Sequence, residues 1–157
     1  MAESTDLTLD ALMRTSRVLV AVVVRSLSAV APEMSVVQLR VLVLVEAAGS
    51  RTVSQVAAAL EVNASSASRT CERLVRAGLL RRDVQPQDRR HSVLSPTPRG
   101  RRLVAEVMER RRAELSTLLE RLDAEESAAL RRGLVALTGA AATEDGGTDH
   151  HLLAWMS

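Results

Sequence analysis

Between Asp6 and Ala31 the apolar residues fall at Leu7, Leu12, Val18, Leu19, Val22, Val23, Leu27 and Val30. Their spacing, mostly three or four, predicts one long helix. Pro32 ends it, because a proline disfavours helical geometry at the residue before it. Ser35 can cap a second helix running over Val36 to Val45. That stretch is also rich in strand-forming residues, but its length and the Ala47-Ala48-Gly49 stop favour helix. Thr52 or Ser54 can cap a short helix from Gln55 to Leu60. Glu61-Val62-Asn63 then breaks the chain, with Asn63 suited to a left-handed conformation. Ala64 to Ala77 forms the next helix, closed by Gly78. Two helices joined by a turn of about four residues have the spacing of a helix-turn-helix.

After Gly78 the period changes. Leu79 to Val84 is short and extended, Gln85-Pro86-Gln87-Asp88 has turn chemistry, and Arg89 to Ser95 alternates again. Two strands around a polar loop make a β-hairpin. Pro96 removes a ladder donor and should end the second strand early. Thr97 caps a further helix with Pro98 at its first position. Its body runs from Arg101 to Leu122. Asp123-Ala124-Glu125-Glu126 opens a last helix with acids in its first turn, as the helix dipole prefers. Gly139 should start its decay, leaving Thr143 to Asp149 as a flexible tail and His150 to Ser157 either docked or disordered. The class is mainly α with a small β-hairpin (α+β). The terminal helices are too apolar to stand as isolated rods, and such helices bury their surface in a partner copy.

Composition narrows the core and the compartment. The 157 residues include one aromatic, Trp155, and no Ile, so Leu, Val, Ala and Met must fill the interior. No apolar run exceeds the seven residues Val18 to Val24, against roughly 20 for a membrane span, so no membrane role is expected. The acidic start, Met1 to Asp6, is unlike a signal peptide. A single cysteine makes neither an internal disulfide nor a cysteine-based zinc site. Together these point to a cytoplasmic, reduced protein.

Charge adds a second layer. All 21 basic residues are Arg, and the formal net charge is only +2. Asn63 to Arg112, however, holds 13 Arg against five acids, a balance of +8, while the remainder holds 8 Arg against 14 acids, a balance of −6. A basic block in an acidic chain suggests a polyanion-binding surface, or else a solvated face in a chain that uses Arg wherever others use Lys.

Segment Ser35 to Gly100, 66 of the 157 residues, resembles the multiple-antibiotic-resistance regulator (MarR) family of dimeric winged helix-turn-helix transcription factors. Ser35-Val36-Val37-Gln38-Leu39-Arg40-Val41-Leu42 is similar to the family's Leu-Thr-x-x-Gln-x-x-x-Leu helix. Val53 to Leu60 resembles its positioning helix, with the Leu-Ala-x-x-Leu pattern. Asn63 to Leu79 resembles its recognition helix with the Gly-Leu exit. Asp88-Arg89-Arg90, Leu94 and Thr97-Pro98-Arg99-Gly100 resemble its wing signature, Asp-x-Arg followed by Leu-Thr-x-x-Gly. Pro96 and Ser68 depart from the pattern, which has Leu and more often Thr there. The resemblance implies a dimerisation helix at 6–31, a DNA-binding lobe at 35–97, C-terminal dimerisation helices at 98–141 and a tail at 142–157.

Candidate site residues follow. A recognition helix presents its N-terminal residues to base edges in the major groove. Here these are Ser65, Ser66, Ser68 and Arg69. The small hydroxyls allow close backbone approach, and Arg69 can pair bidentately with guanine. Arg73 and Arg76 are better placed for phosphates. The serines have a second reading, as caps and surface polarity. In the wing, the resemblance implies Arg90 in the minor groove, braced by Asp88, with Arg89 beside a phosphate. The alternative is an Asp–Arg pair that merely staples the turn. At most one of Arg81 and Arg82 faces DNA. Arg99, Arg101 and Arg102 sit at a helix start, unfavourably by the dipole rule, unless an anion or solvent offsets them. Arg110-Arg111-Arg112 reads as solvated or paired within a dimer.

Cys71 sits on an apolar helical position and reads as a small core residue. His91, His150 and His151 lack ligand partners at metal spacing, so no metal or other cofactor is expected. No Gly-rich phosphate loop, Gly-x-Ser-x-Gly or His-Glu-x-x-His motif marks an enzyme, so no catalytic residue is assigned. The expected function is a homodimeric, sequence-specific regulator, a repressor by first reading. Its partners are double-stranded DNA with an inverted repeat, a second copy of itself and a small-molecule effector. Family behaviour implies an effector site between the dimerisation helices and the lobe, but no residue specifies the ligand. The competing reading is a basic winged-helix module that binds an acidic protein, or DNA without sequence preference.

Overall fold

The computed structural model describes residues 2–84 and 92–144. The chain order is α1 (Ala2–Val30), α2 (Val36–Ala48), β1 (Arg51–Thr52), α3 (Val53–Ala59), α4 (Ala64–Arg76), β2 (Leu80–Val84), β3 (Ser92–Pro96), α5 (Pro98–Leu119) and α6 (Ala124–Glu144). The mainly helical class with a small β element is as expected.

Helix α2 is the axis of the lobe. Leu39 and all five residues Val41 to Val45 are buried, so it is apolar around its whole circumference and belongs inside. Its strand-forming composition is overridden by its ends. The Ser35 hydroxyl accepts from the Gln38 amide at 3.2 Å, and the Gln38 side chain accepts from the Ser35 amide at 2.8 Å. Thr52 and Gln55 repeat this reciprocal cap at α3, at 3.2 and 2.8 Å. Two amide donors are satisfied at each start, where a helix otherwise leaves them unpaired. Around α2 close Leu27, Val56, Leu74, Leu80, Leu94 and Val107, each no more than 2% exposed. Each such burial stabilises by roughly 1.5–3 kcal/mol. Among the described residues no aromatic ring takes part.

The sheet has three strands in the order β1-β3-β2, both pairings antiparallel. Strand β1 went unforeseen, because two residues carry no readable period. Pro96 is the last residue of β3, opposite Leu80, so the strand ends there rather than before it. The turn between α3 and α4 also differs from expectation. Asn63 has φ −67° and ψ 150° and serves as the N-cap of α4, and Glu61 takes the left-handed conformation, at φ 54°. The Asn63 side chain must accept the Ser66 amide, at 2.8 Å, and a capping residue needs extended backbone. The reversal therefore falls two residues earlier. There Val62 donates to the Ala57 carbonyl at 3.0 Å and Glu61 to that of Ala58 at 3.1 Å, the hydrogen-bond pair of a Schellman stop.

Helix α5 ends at Leu119 rather than Leu122, and α6 continues past Gly139 to Glu144. One exposed glycine costs a helix only about 1 kcal/mol, and Ala140 to Ala142 are the best helix formers. Residues 142–144 therefore belong to α6, not to a tail. The rest of the expected tail, 145–157, lies outside the described residues. So do the hairpin loop and Asp88, Arg89, Arg90 and His91, and so do His150 and His151.

Helix α1 packs its second half on the lobe through Val22, Val23 and Leu27. Arg25 reaches Glu114 of α5 at 2.9 Å, and the buried Ser26 hydroxyl lies 3.3 Å from the same carboxylate. Its first half leaves Leu7, Leu9, Leu12 and Met13 exposed, and α6 leaves Leu130, Leu134, Val135 and Leu137 exposed. Among the described residues, helix α6 has no substantial packing against any other element.

Candidate nucleic-acid interface

Helix α4 has two faces of opposite character. Ala67, Cys71 and Leu74 are buried, with Val75 partly so, against α2 and α3. Ser65, Arg69, Glu72, Arg73 and Arg76 are exposed. Their offsets of 4, 7, 8 and 11 residues from Ser65 align them on one stripe. Ser66 and Ser68 lie half-buried on its margins.

The serines organise the start of the helix. Asn63 Oδ1 accepts from the Ser66 amide and from the Ser65 hydroxyl, both at 2.8 Å. The Ser66 hydroxyl in turn accepts from Arg69 Nη2 at 3.2 Å, which holds that guanidinium back towards the helix start. Ser68 donates to Glu72 at 3.1 Å. Glu72 was not singled out in the sequence, although its spacing from Arg69 and Arg73 put it on the same stripe. A carboxylate there repels phosphate and can accept from a cytosine amino group.

The end of α4 is fastened to the start of α5. The Thr97 hydroxyl lies 2.7 Å from the Gly78 carbonyl and accepts from the Gly100 amide at 3.0 Å. Arg99 Nη1 donates to the Ala77 carbonyl at 2.9 Å. Arg101 Nη1 donates to the Pro96 carbonyl at 2.9 Å. The two arginines thus satisfy carbonyls at the end of α4 and of β3, which offsets their unfavourable place at a helix start. Gly100 is held tightly: a Cβ there would overlap the Leu79 carbonyl. Gly78 has φ 69° and repeats the Schellman stop, with its amide donating to Val75 and that of Leu79 to Leu74.

Arg111 is not solvated, contrary to one of the two readings of residues 110–112. It is 8% exposed, because it follows Val104 and Val107 by seven and four residues on the buried face of α5. Burial pushes its pKa below the ordinary arginine value. Arg112 is exposed, and Arg110 sits 3.9 Å from Glu106. Cys71 is a core residue as read, and burial raises its thiol pKa, opposed by the nearby charge of Arg82. Among the described residues no group of His, Cys, Asp and Glu could hold a metal ion. Nor is any helix among them long and apolar enough to cross a membrane.

A three-stranded sheet beside a helix-turn-helix, set between long terminal helices, is matched closely in known proteins. The MarR family model matches residues 33–91. The uncharacterized HTH-type transcriptional regulator YfiV of Bacillus subtilis is 30% identical over 108 residues, 69% of this chain and 68% of that one. The chain belongs to the MarR family. It is therefore a DNA-binding transcription regulator of that family, and not an enzyme. Among solved MarR-like folds, RV1404 of Mycobacterium tuberculosis superposes with TM-score 0.81 at 33% identity, covering 92% of this chain and 94% of that one. The fold is shared at lower identity, 22%, with FabT of Streptococcus pneumoniae, with TM-score 0.69 over 91% of this chain and 99% of that one. In this MarR-family chain the matched segment holds the two capped helices, α4 and the Gly78 exit, so the family features coincide with the exposed stripe.

Proposed function

We propose that the protein is a homodimeric repressor that binds an inverted-repeat operator and is released by a small-molecule effector. The observation that carries the reading is the α4 stripe: a helix whose opposite face, Ala67, Cys71 and Leu74, is buried turns Ser65, Arg69, Arg73 and Arg76 outward from the lobe. In this reading Ser65, Ser66 and Ser68 allow close approach to the groove, Arg69 leaves Ser66 to pair with a base edge, and Arg73 meets phosphate. Asp88, Arg89 and Arg90 act in the wing as the family resemblance implies. FabT, a protein of the same fold, has been crystallised with DNA, which supports this use of the scaffold.

Homodimerisation is supported by α6, a helix of 21 residues without substantial packing against the other described elements. Helix stability in proteins comes chiefly from packing an apolar face, and that of α6 lies open. Helix α5 carries an open groove of about 520 Å³, lined by Met108, Arg112, Leu115 and Leu119 among others, which the α6 of a second copy would fill. Two lobes related by a two-fold axis would then meet half-sites about 10 bp apart or a multiple of that. An effector releases such a dimer by binding better to a lobe spacing that does not fit the operator.

The test is a gel shift on DNA from upstream of the protein's own gene at about physiological salt, with Arg69→Ala and Arg90→Ala. Both variants are expected to weaken binding. Unchanged binding by both refutes the site assignment, and equal competition by random DNA refutes the operator reading.

A further inference from the structure

The structure sorts the arginines of the basic block by what already occupies them. Arg69 donates to Ser66, Arg76 to the Glu72 carbonyl, Arg81 to Asp83, Arg99 to Ala77 and Arg101 to Pro96. Arg111 is buried. Arg82, like Arg73, Arg102 and Arg112, is exposed, and no carboxylate among the described residues forms an ion pair with it; of these four it alone lies on the sheet.

Its position is set by strand register. Arg82 lies opposite Leu94 in β3, and Leu80 lies opposite Pro96. Leu80 and Leu94 are at most 1% exposed. Strand side chains alternate, so Arg82 shares the inner, α4-covered face with both of them. Arg81 and Asp83 occupy the outer face and neutralise each other at 2.9 Å. An arginine on an inner face stays exposed only by running its stem past the edge of the covering helix into water. That helix is α4. The chain reverses at Gly78, Leu79 bonds back to Leu74, and the Arg82 charge is felt at Cys71, so β2 runs back along α4 towards its start. Two residues of strand cover about 6.6 Å, and the three residues from Leu74 back to Cys71 cover about 4.5 Å of helix. Arg82 therefore emerges alongside the middle of α4, on the flank between that helix and the edge of the sheet.

We propose that Arg82 holds a DNA backbone phosphate at the rim of the groove that α4 enters, contributing affinity and register but no base discrimination. This rests on the operator-binding reading above. A guanidinium with no ion-pair partner among the described residues, emerging beside the middle of the helix that carries Arg69, meets the phosphate wall when Arg69 meets base edges. Arg81 is excluded from that role by its face and by Asp83.

The experiment measures fluorescence anisotropy of full-length protein on an operator duplex and on a scrambled duplex, across a salt series, for wild type, Arg82→Ala, Arg82→Lys, Arg81→Ala and Arg69→Ala. Arg82→Ala is expected to weaken both duplexes by the same factor, about tenfold. It should lower the slope of log affinity on log salt by about two for a dimer, one per released phosphate contact. Arg82→Lys should keep the slope, and Arg81→Ala should match wild type. Arg69→Ala should weaken the operator more than the scrambled duplex. An unchanged slope in Arg82→Ala, a loss confined to the operator, or equal losses in the Ala and Lys variants would each overturn the assignment. If wild type itself makes no distinction between the duplexes, the operator reading fails, and the slope comparison still decides whether Arg82 meets phosphate.

Discussion

The hydroxyl of Thr97 and the carbonyl oxygen of Gly78 stand 2.7 Å apart, joining the first turn of α5 to the residue that stops α4. The same hydroxyl caps α5 through the Gly100 amide, so one side chain serves two elements. Thr97→Val should lower unfolding free energy by about 1–2 kcal/mol, the usual worth of an N-cap. Gly100→Ala should cost more, about 2–4 kcal/mol, because the new methyl meets the Leu79 backbone rather than a side chain that could turn away. Urea unfolding followed by circular dichroism measures both. An unchanged midpoint for Gly100→Ala would contradict the close approach.

Glu61 and Gly78 end two successive helices with the same pair of hydrogen bonds, but only one of them is glycine. A side chain in the left-handed region costs roughly 1–2 kcal/mol. Glu61→Gly should therefore raise stability by about 1 kcal/mol, less the entropy it adds to the unfolded chain. Gly78→Ala should lower it. A thermal melt that moves down for Glu61→Gly would show that the turn is held by something besides backbone geometry.

Cys71 makes the chain's alkaline stability simple to read. Its thiol pKa is raised from 9.0 by burial, so the folded state favours the protonated form. The stability this represents is complete below 9.0 and is lost as pH rises through that value towards the higher folded-state pKa, at up to about 1.4 kcal/mol per pH unit. The chain has no Lys and no Tyr to blur that range. Denaturant midpoints between pH 8 and 11 should fall for wild type and stay flatter for Cys71→Ala. The same burial predicts slow reaction with thiol reagents at neutral pH. Rapid labelling of the native protein would count against it.

Helix α6 supplies the test of assembly. Leu134 is 47% exposed, on a helix without substantial packing against the other described elements. Leu134→Glu should leave helix content unchanged while shifting the protein from dimer to monomer in sedimentation at micromolar concentration. Operator affinity should then fall, since half-sites are no longer engaged together. A Leu134→Glu protein that sediments like wild type would remove α6 from the interface.

Much of this architecture was legible in the chain because its signals are local. Ser35 with Gln38, Thr52 with Gln55, and Thr97 with Pro98 announce helix starts by chemistry that acts within four residues. The buried face of α4 follows from spacing alone. What escaped depended on distance. Strand β1 exists only because Arg51 and Thr52 find Leu94 and Val93 about forty residues on. Arg111 looked like one of three solvated arginines until its phase relative to Val104 and Val107 was fixed by packing. The left-handed residue fell on Glu61 because Asn63 was already committed to a cap, a competition between neighbours that propensity does not rank. Arg81 and Arg82 were interchangeable in the sequence, and only the register separates them.

The fastening of α4 to α5 also has a mechanical side. Helix α5 has 22 residues, about 33 Å of stiff rod. Its near end is bonded to the exit of α4 through Thr97 and Arg99, and Gly100 closes the gap. The exposed stripe of α4 is therefore carried on the end of a lever, and in the operator-binding reading proposed above it is aimed by that lever. A tilt of about 5° pivoting at the far end swings the near end by about 3 Å, close to the 3.4 Å step between base pairs. A few degrees at one end of a rod thus equal one letter of sequence at the other.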